Sequence, residues 1–107
     1  MSIRFLDKIA YEFDWDEGNS DKNFLKHGIS CSECEEVFFN VPVLFFYDKT
    51  HSQTEDRFIA LGTTGTTLNL FISFTIRKEK LRVISARIQS KKERRIFYEE
   101  TKQDSKI

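Results

Sequence analysis

LNLFISFTIRKEKLRVISARI, residues 68–88, is the stretch whose reading decides the fold. Leu68, Leu70, Ile72, Phe74 and Ile76 stand at alternate positions, the period of two of a strand with one buried face. Lys78-Glu79 reads as a two-residue hairpin turn, although it lacks the glycine such turns usually carry. Leu81 to Ile88 is the returning strand. Working upstream, Thr64-Gly65-Thr66 is a turn and Arg57 to Thr63 a further strand. A polar loop, Lys49 to Asp56, separates it from Val43 to Asp48. That dense apolar run is expected to be a strand buried on both faces.

The flanks of this block read as helices. Tyr11-Glu12-Phe13-Asp14-Trp15 alternates strictly and predicts a half-buried strand. Asp16 follows as an N-cap with Glu17 in the first turn, where a carboxylate meets the positive helix end. The helix predicted over Glu17 to Lys26 turns Phe24 and Leu25 inward and is weakened by Gly18 and Asn19. Gly28 stands where a helix-terminating glycine belongs. Ser30 and Glu33 form a capping-box pattern opening a second helix, Cys31 to Asn40. Cys34, Val37 and Phe38 share one stripe of it, and Asn40 and Pro42 end it. Ser90 and Glu93 repeat the pattern before a C-terminal helix, Lys91 to Lys102. The order β-α-α-β-β-β-β-α predicts an α+β domain. Its antiparallel meander has four to five strands, with two N-terminal helices and one C-terminal helix against it. One domain is expected over 1–107: an N-terminal extension at 1–10, the domain proper at 11–102 and a frayed tail at 103–107.

Composition bounds the function. The 107 residues hold 17 Lys+Arg and 17 Asp+Glu, a net charge of zero, which excludes a simple polycation that coats nucleic acid. Aromatic residues make up 14%, which excludes a disordered chain. The zero is unevenly spread. Residues 1–60 carry 6 basic and 12 acidic side chains, residues 61–107 carry 11 and 5. No apolar run is long enough to span a membrane, and Met1 to Ala10 has no signal-peptide pattern. A cytoplasmic protein is expected.

Few residues point to chemistry. Cys31 and Cys34 form one C-x-x-C, but a zinc site needs four ligands and only His27 is near. Two small apolar residues on a helix is the plainer reading. Phosphate-loop glycine patterns, G-x-S-x-G and carboxylate-rich metal spacings are all absent, so neither metal nor cofactor is expected. Polar residues instead gather at strand ends and turns: Lys26-His27-Gly28, His51-Ser52-x-x-Glu55-x-Arg57, Arg77, and Ser85-Ala86-Arg87. Glu55 and Arg57 share a face by parity, as do Ser85 and Arg87. A base, an acid and a few cations suffice to cleave a phosphodiester through its 2′-hydroxyl.

These motifs have a known counterpart. Phe13-x-Trp15-Asp16, Asn23-x-x-Lys26-His27-Gly28-Ile29-Ser30 and Glu36-Val37-Phe38 occur in order. Asp48-x-x-His51-Ser52-x-x-Glu55-x-Arg57, Gly62, Thr75-x-Arg77, Arg82-Val83-Ile84-Ser85-Ala86-Arg87 and Glu93-Arg94-Arg95 follow. Together they resemble the BrnT toxins of bacterial type II toxin–antitoxin systems over about residues 11–100. The resemblance implies a RelE-like ribonuclease silenced by a BrnA-like antitoxin in a higher-order complex, such as a heterotetramer. DNA contact would then come only through the antitoxin. It also implies site residues: His27 or Glu55 as base, with His27 preferred because arginines depress a neighbouring carboxylate's pKa. Arg57, Arg77 and Arg87 would hold the scissile phosphate, and Lys26 or His51 would serve as acid. Ser85, Trp15, Lys91, Arg94, Arg95 and Tyr98 would support the site or bind RNA. Each has a plainer reading: Trp15 as core, His51 as a loop brace, Ser85 as a cross-strand bond, the basic helix start as solvated surface. The sequence departs from the family at Lys78-Glu79 and at Ile88, where a glycine and a basic residue are common. A non-catalytic module that binds antitoxin or RNA is the alternative reading.

Overall fold

The Lys78-Glu79 turn is the tight hairpin its two-residue length requires. The computed structural model describes residues 12–102, without the side chains of residues 21–25. Lys78 and Glu79 have φ of 50° and 67°, the left-handed pair that matches strand twist in a two-residue turn. Arg77 pairs with Lys80 across it. Four strands form one antiparallel meander in chain order: β1 Leu44–Tyr47, β2 Phe58–Thr63, β3 Asn69–Arg77 and β4 Lys80–Ile88.

The two faces of the sheet differ. Leu70, Ile72 and Phe74 point to the inner face and are fully buried. Phe58, Ala60, Leu81, Val83 and Ala86 join them in one cluster. In β4 the buried residues step from 81 and 83 to 86, because a register shift stands between Ser73 and Phe74 of β3. That bulge keeps both Val83 and Ala86 inside, and it puts Arg82, Ser85 and Arg87 on the outer face together. Phe74 sits at the middle of an aromatic group, with ring centroids of Phe38 at 5.2 Å, Phe58 at 5.6 Å and Phe45 at 6.0 Å.

Helix α2, Cys31–Phe39, lies on the inner face. Its capping box is complete: Glu33 N donates to Ser30 Oγ and Ser30 N to Glu33 Oε1. Cys34, Val37 and Phe38 are its buried stripe. A Cβ built on Gly62 would stand 2.7 Å from Val37 Cγ1, so glycine is what allows β2 and α2 to meet this closely. Helix α1, Glu17–His27, runs beside β4. Asp16 Oδ1 accepts from Gly18 N and Asn19 N as the expected cap, and Gly28 ends the helix at φ 70°. Asn19, buried, donates to Val83 O at 3.0 Å and fastens α1 to β4. Helix α3, Lys91–Thr101, contacts β1 and β2. Leu44 and Leu61 face away from the main cluster there. Leu61, 3% exposed, is covered from the outer side.

Two expectations change. Residues 12–15 form a single parallel bridge, Phe13 to Leu81, rather than a strand. Asp14 N donates to Leu81 O and Leu81 N to Glu12 O, after which Asp16 turns the chain into α1. Leu44 to Tyr47 is half-buried, not covered on both faces. It is the sheet edge, so aromatic density there does not mean double burial. Tyr11, the inward turn of Phe24 and Leu25, residues 1–10 and residues 103–107 lie outside the described residues.

Candidate functional site

The loop between β1 and β2 is tied into a closed unit. Asp48 N donates to Arg57 O at 2.8 Å, Ser52 Oγ donates to Asp48 O at 2.6 Å, and Arg57 N donates to Ser52 Oγ at 2.8 Å. Asp48 also caps a single 3-10 turn, Lys49–His51, and its Oδ2 lies 2.8 Å from His51 Nδ1. A carboxylate on Nδ1 fixes the ring and leaves Nε2 outward. The His51 side chain is 68% exposed.

The end of this loop delivers Glu55 and Arg57 to the tip of the β3–β4 hairpin. Glu55 takes Arg77 in a two-bond pair: Nε to Oε2 and Nη2 to Oε1, both at 2.9 Å. Arg57 Nη2 lies 3.5 Å from the same carboxylate, and Arg57 Nε is buried with no hydrogen-bond partner among the described residues. Arg77 holds the Glu55 carboxyl below its ordinary value, chiefly through those hydrogen bonds and with help from Arg57. Arg77 is correspondingly held more firmly protonated. Such a carboxylate is a weak base near neutral pH.

Arg82 stands next to this group on the same outer face. Register pairs Arg77 with Lys80 and Thr75 with Arg82, which makes Arg77 and Arg82 diagonal neighbours. Arg82 binds Asp16 through two hydrogen bonds, 3.0 and 3.1 Å, with Asp14 at 3.6 Å. Sequence reasoning left Arg82 out of the site. The signal was present: counting back across the Lys78-Glu79 turn puts residues 77 and 82 on one face.

Other expected site residues lie apart from this cluster. Arg87 donates to both carboxylate oxygens of Glu93, at 2.8 and 2.9 Å, and lies over the Phe71 ring at 4.0 Å. Its partner position Phe71 is six residues along β3 from Arg77, about 20 Å of strand. Arg87 and Arg77 therefore do not grip one phosphate from these positions. Ser85 lies between them on that face, opposite Ser73. Trp15 Nε1 donates to Glu35 Oε2 at 2.7 Å, and its ring packs against the core beside Phe13. Lys26 and His27 are exposed at the end of α1, and no described contact joins them to Glu55, Arg57 or Arg77. Lys91, Arg94, Arg95 and Tyr98 are exposed along α3. Among the described residues no group of three or more His, Cys, Asp or Glu is placed to hold a metal ion. No helix among them is long and apolar enough to cross a membrane.

The model of the BrnT ribonuclease toxins of type II toxin–antitoxin systems matches residues 15–93. The chain belongs to the BrnT toxin family. No curated protein matches it. The matched span begins at Trp15 and ends at Glu93, so it contains the closed loop, the Glu55–Arg57–Arg77 cluster and the Arg87–Glu93 pair. As a BrnT family member the chain is a ribonuclease toxin of a type II system, and an antitoxin is its implied partner.

Proposed function

We propose that this BrnT chain is a RelE-like endoribonuclease that cleaves RNA without a metal in the cytoplasm and is silenced by a BrnA-like antitoxin. The observation that carries the site assignment is the meeting of Arg57 and Arg77 around one carboxylate. A two-bond guanidinium–carboxylate pair has the geometry of a guanidinium–phosphate pair. RNA phosphate would exchange with Glu55 and meet Arg77 and the Nη2 of Arg57. Both guanidiniums would then face the charge that grows on phosphorus as the 2′-oxygen attacks. We assign proton transfer from the 2′-hydroxyl to His51, whose ring Asp48 orients. Its loop is hydrogen-bonded directly to Arg57. Glu55, held ionised by Arg77, is the anion that the RNA phosphate would displace. Arg87, bound by Glu93, braces α3 against the sheet.

The test is RNA cleavage in EDTA, with fragments read for 2′,3′-cyclic phosphate ends. Arg77→Ala should lower the cleavage rate by about 10²–10³. Its unfolding midpoint should barely move, because an exposed ion pair contributes about 0–1 kcal/mol. His51→Ala should lower cleavage more than His27→Ala. Full activity in soluble Arg77→Ala would remove this site. A binding module without catalysis is the second reading. The closure of Arg77 by Glu55 favours it, and absence of cleavage by excess wild-type protein would establish it.

A further inference from the structure

The two cysteines sit in an arrangement that the nuclease reading does not use. Cys31 is the first residue of α2 and half-exposed, and Cys34 lies three residues on and is 1% exposed. Helix geometry sets Cα atoms three residues apart at about 5 Å, inside the roughly 4.4–6.8 Å range that a disulfide spans. The Cβ atoms of such a pair start at roughly 5–6 Å and must close to about 4 Å. The first turn can give this much. The first helical hydrogen bond runs from Cys34 N to Ser30 O at 3.1 Å, so the Cys31 amide is not part of the ladder. Both thiols are unbridged in the structure. We propose that Cys31 and Cys34 form a reversible dithiol–disulfide site, with Cys31 reacting first with a peroxide and Cys34 resolving it.

The order of reaction follows from exposure and charge. Cys31, half-exposed in the first turn of α2, is the sulfur of the pair that solvent reaches. Burial pushes the Cys34 thiol up to about 12, and the nearby charges of Cys31, Glu33 and Glu35 add to this. Cys34 is therefore slow toward solvent oxidants but adjacent to the Cys31 sulfur, which meets them. In the first step the Cys31 sulfur attacks hydrogen peroxide. An S–O bond forms, the O–O bond breaks, and one water leaves with the thiol proton. In the second step the Cys34 sulfur attacks the Cys31 sulfenic acid. The S–S bond forms, the S–O bond breaks, and the hydroxide leaves as water with the Cys34 proton. Two thiols and one peroxide become one disulfide and two waters. The required closure of the Cβ atoms strains the product, so it belongs to the readily reduced class of disulfides.

The test uses the full chain, reduced and then exposed to near-stoichiometric hydrogen peroxide. Intact mass should fall by two hydrogens, and neither cysteine should take up iodoacetamide after denaturation. Dithiothreitol should restore both. Cys34→Ala, with its fold checked by circular dichroism, should stop at a sulfenic acid that dimedone traps. Cys31→Ser, at the half-exposed position, should oxidise at least about a hundredfold more slowly than wild type. Accumulation of sulfinic acid on Cys31 with Cys34 still free would overturn the proposal. So would covalent dimers, or two thiols that stay reduced.

Discussion

Glu93 serves two structures with one carboxylate. Its Oε1 accepts from Ser90 N at 2.8 Å and from Arg87 Nη1 at 2.8 Å, while Oε2 accepts from Arg87 Nη2 at 2.9 Å. The first contact caps α3 and the others pin α3 to β4. Arg87, then the Ser90 backbone, hold its carboxyl below the ordinary value of 4.5 against the opposing effect of burial. The reciprocal bond from Ser90 N to the Glu93 carboxylate contributes about 1–1.5 kcal/mol. The Arg87 pair adds only a few tenths, because Arg87 is 39% exposed and screened by solvent. Glu93→Ala should thus destabilise the protein by about 1–2 kcal/mol in urea unfolding at pH 7. The folded pKa is depressed, so this stability is present above the unfolded value. It is lost as pH falls through the folded one. The gap between wild type and Glu93→Gln should therefore narrow as pH falls below the ordinary glutamate value of 4.5. A gap that stayed constant into stronger acid would show that the contacts do not depend on the charge.

At the scale of elements, the Lys78-Glu79 turn holds two non-glycine residues in left-handed conformations. Each such residue carries a cost of roughly 1–2 kcal/mol that Asn-Gly largely avoids. Replacing the pair with Asn-Gly should raise stability by about 1 kcal/mol, read as a higher urea midpoint with unchanged slope. Gly62→Ala should act oppositely and cost roughly 1–3 kcal/mol, since the new methyl meets Val37 of α2. These elements were largely legible beforehand. Period-two runs gave β2 to β4, and Ser30–Glu33 and Ser90–Glu93 marked two helix starts to the residue. The sequence misled at Glu12–Trp15, where alternation yields only a bridge, and at Val43–Asp48, where an apolar run lies on the sheet edge. Both depend on which strand ends up outermost, which local periodicity does not encode. Within the site, parity placed Glu55 and Arg57 together. The distance between Arg87 and Arg77 was not legible, because position along a strand needs register, and register puts them at opposite ends of the hairpin.

Across the whole molecule, the acidic and basic halves of the chain meet at one end of the sheet. Asp14, Asp16 and Glu55 come from the acidic part, Arg77 and Arg82 from the basic part, and they interlock there. Four further cations, Lys91, Lys92, Arg94 and Arg95, are spread along exposed α3, and Lys78 and Lys80 are exposed at the hairpin tip. This separation makes RNA binding quantitatively testable. Each phosphate neutralised by a cation releases counterions. Affinity for single strands then falls with salt at a log–log slope of about −0.7 per contact. If Arg57, Arg77 and Arg82 are the grip, three contacts give a slope near −2. A short RNA with a 2′-deoxy residue at the scissile position, followed by fluorescence anisotropy over a range of KCl, measures this without cleavage. Arg82→Ala should make the slope shallower by about 0.7. Replacing Lys91 and Arg94 with Ala should leave it unchanged. A wild-type slope steeper than about −4 would require more cations than the cluster holds and would move the RNA path onto α3. The acids interleaved with Arg77 and Arg82 explain why the shallow value is expected, since RNA must displace Glu55 and Asp16 before it gains those contacts.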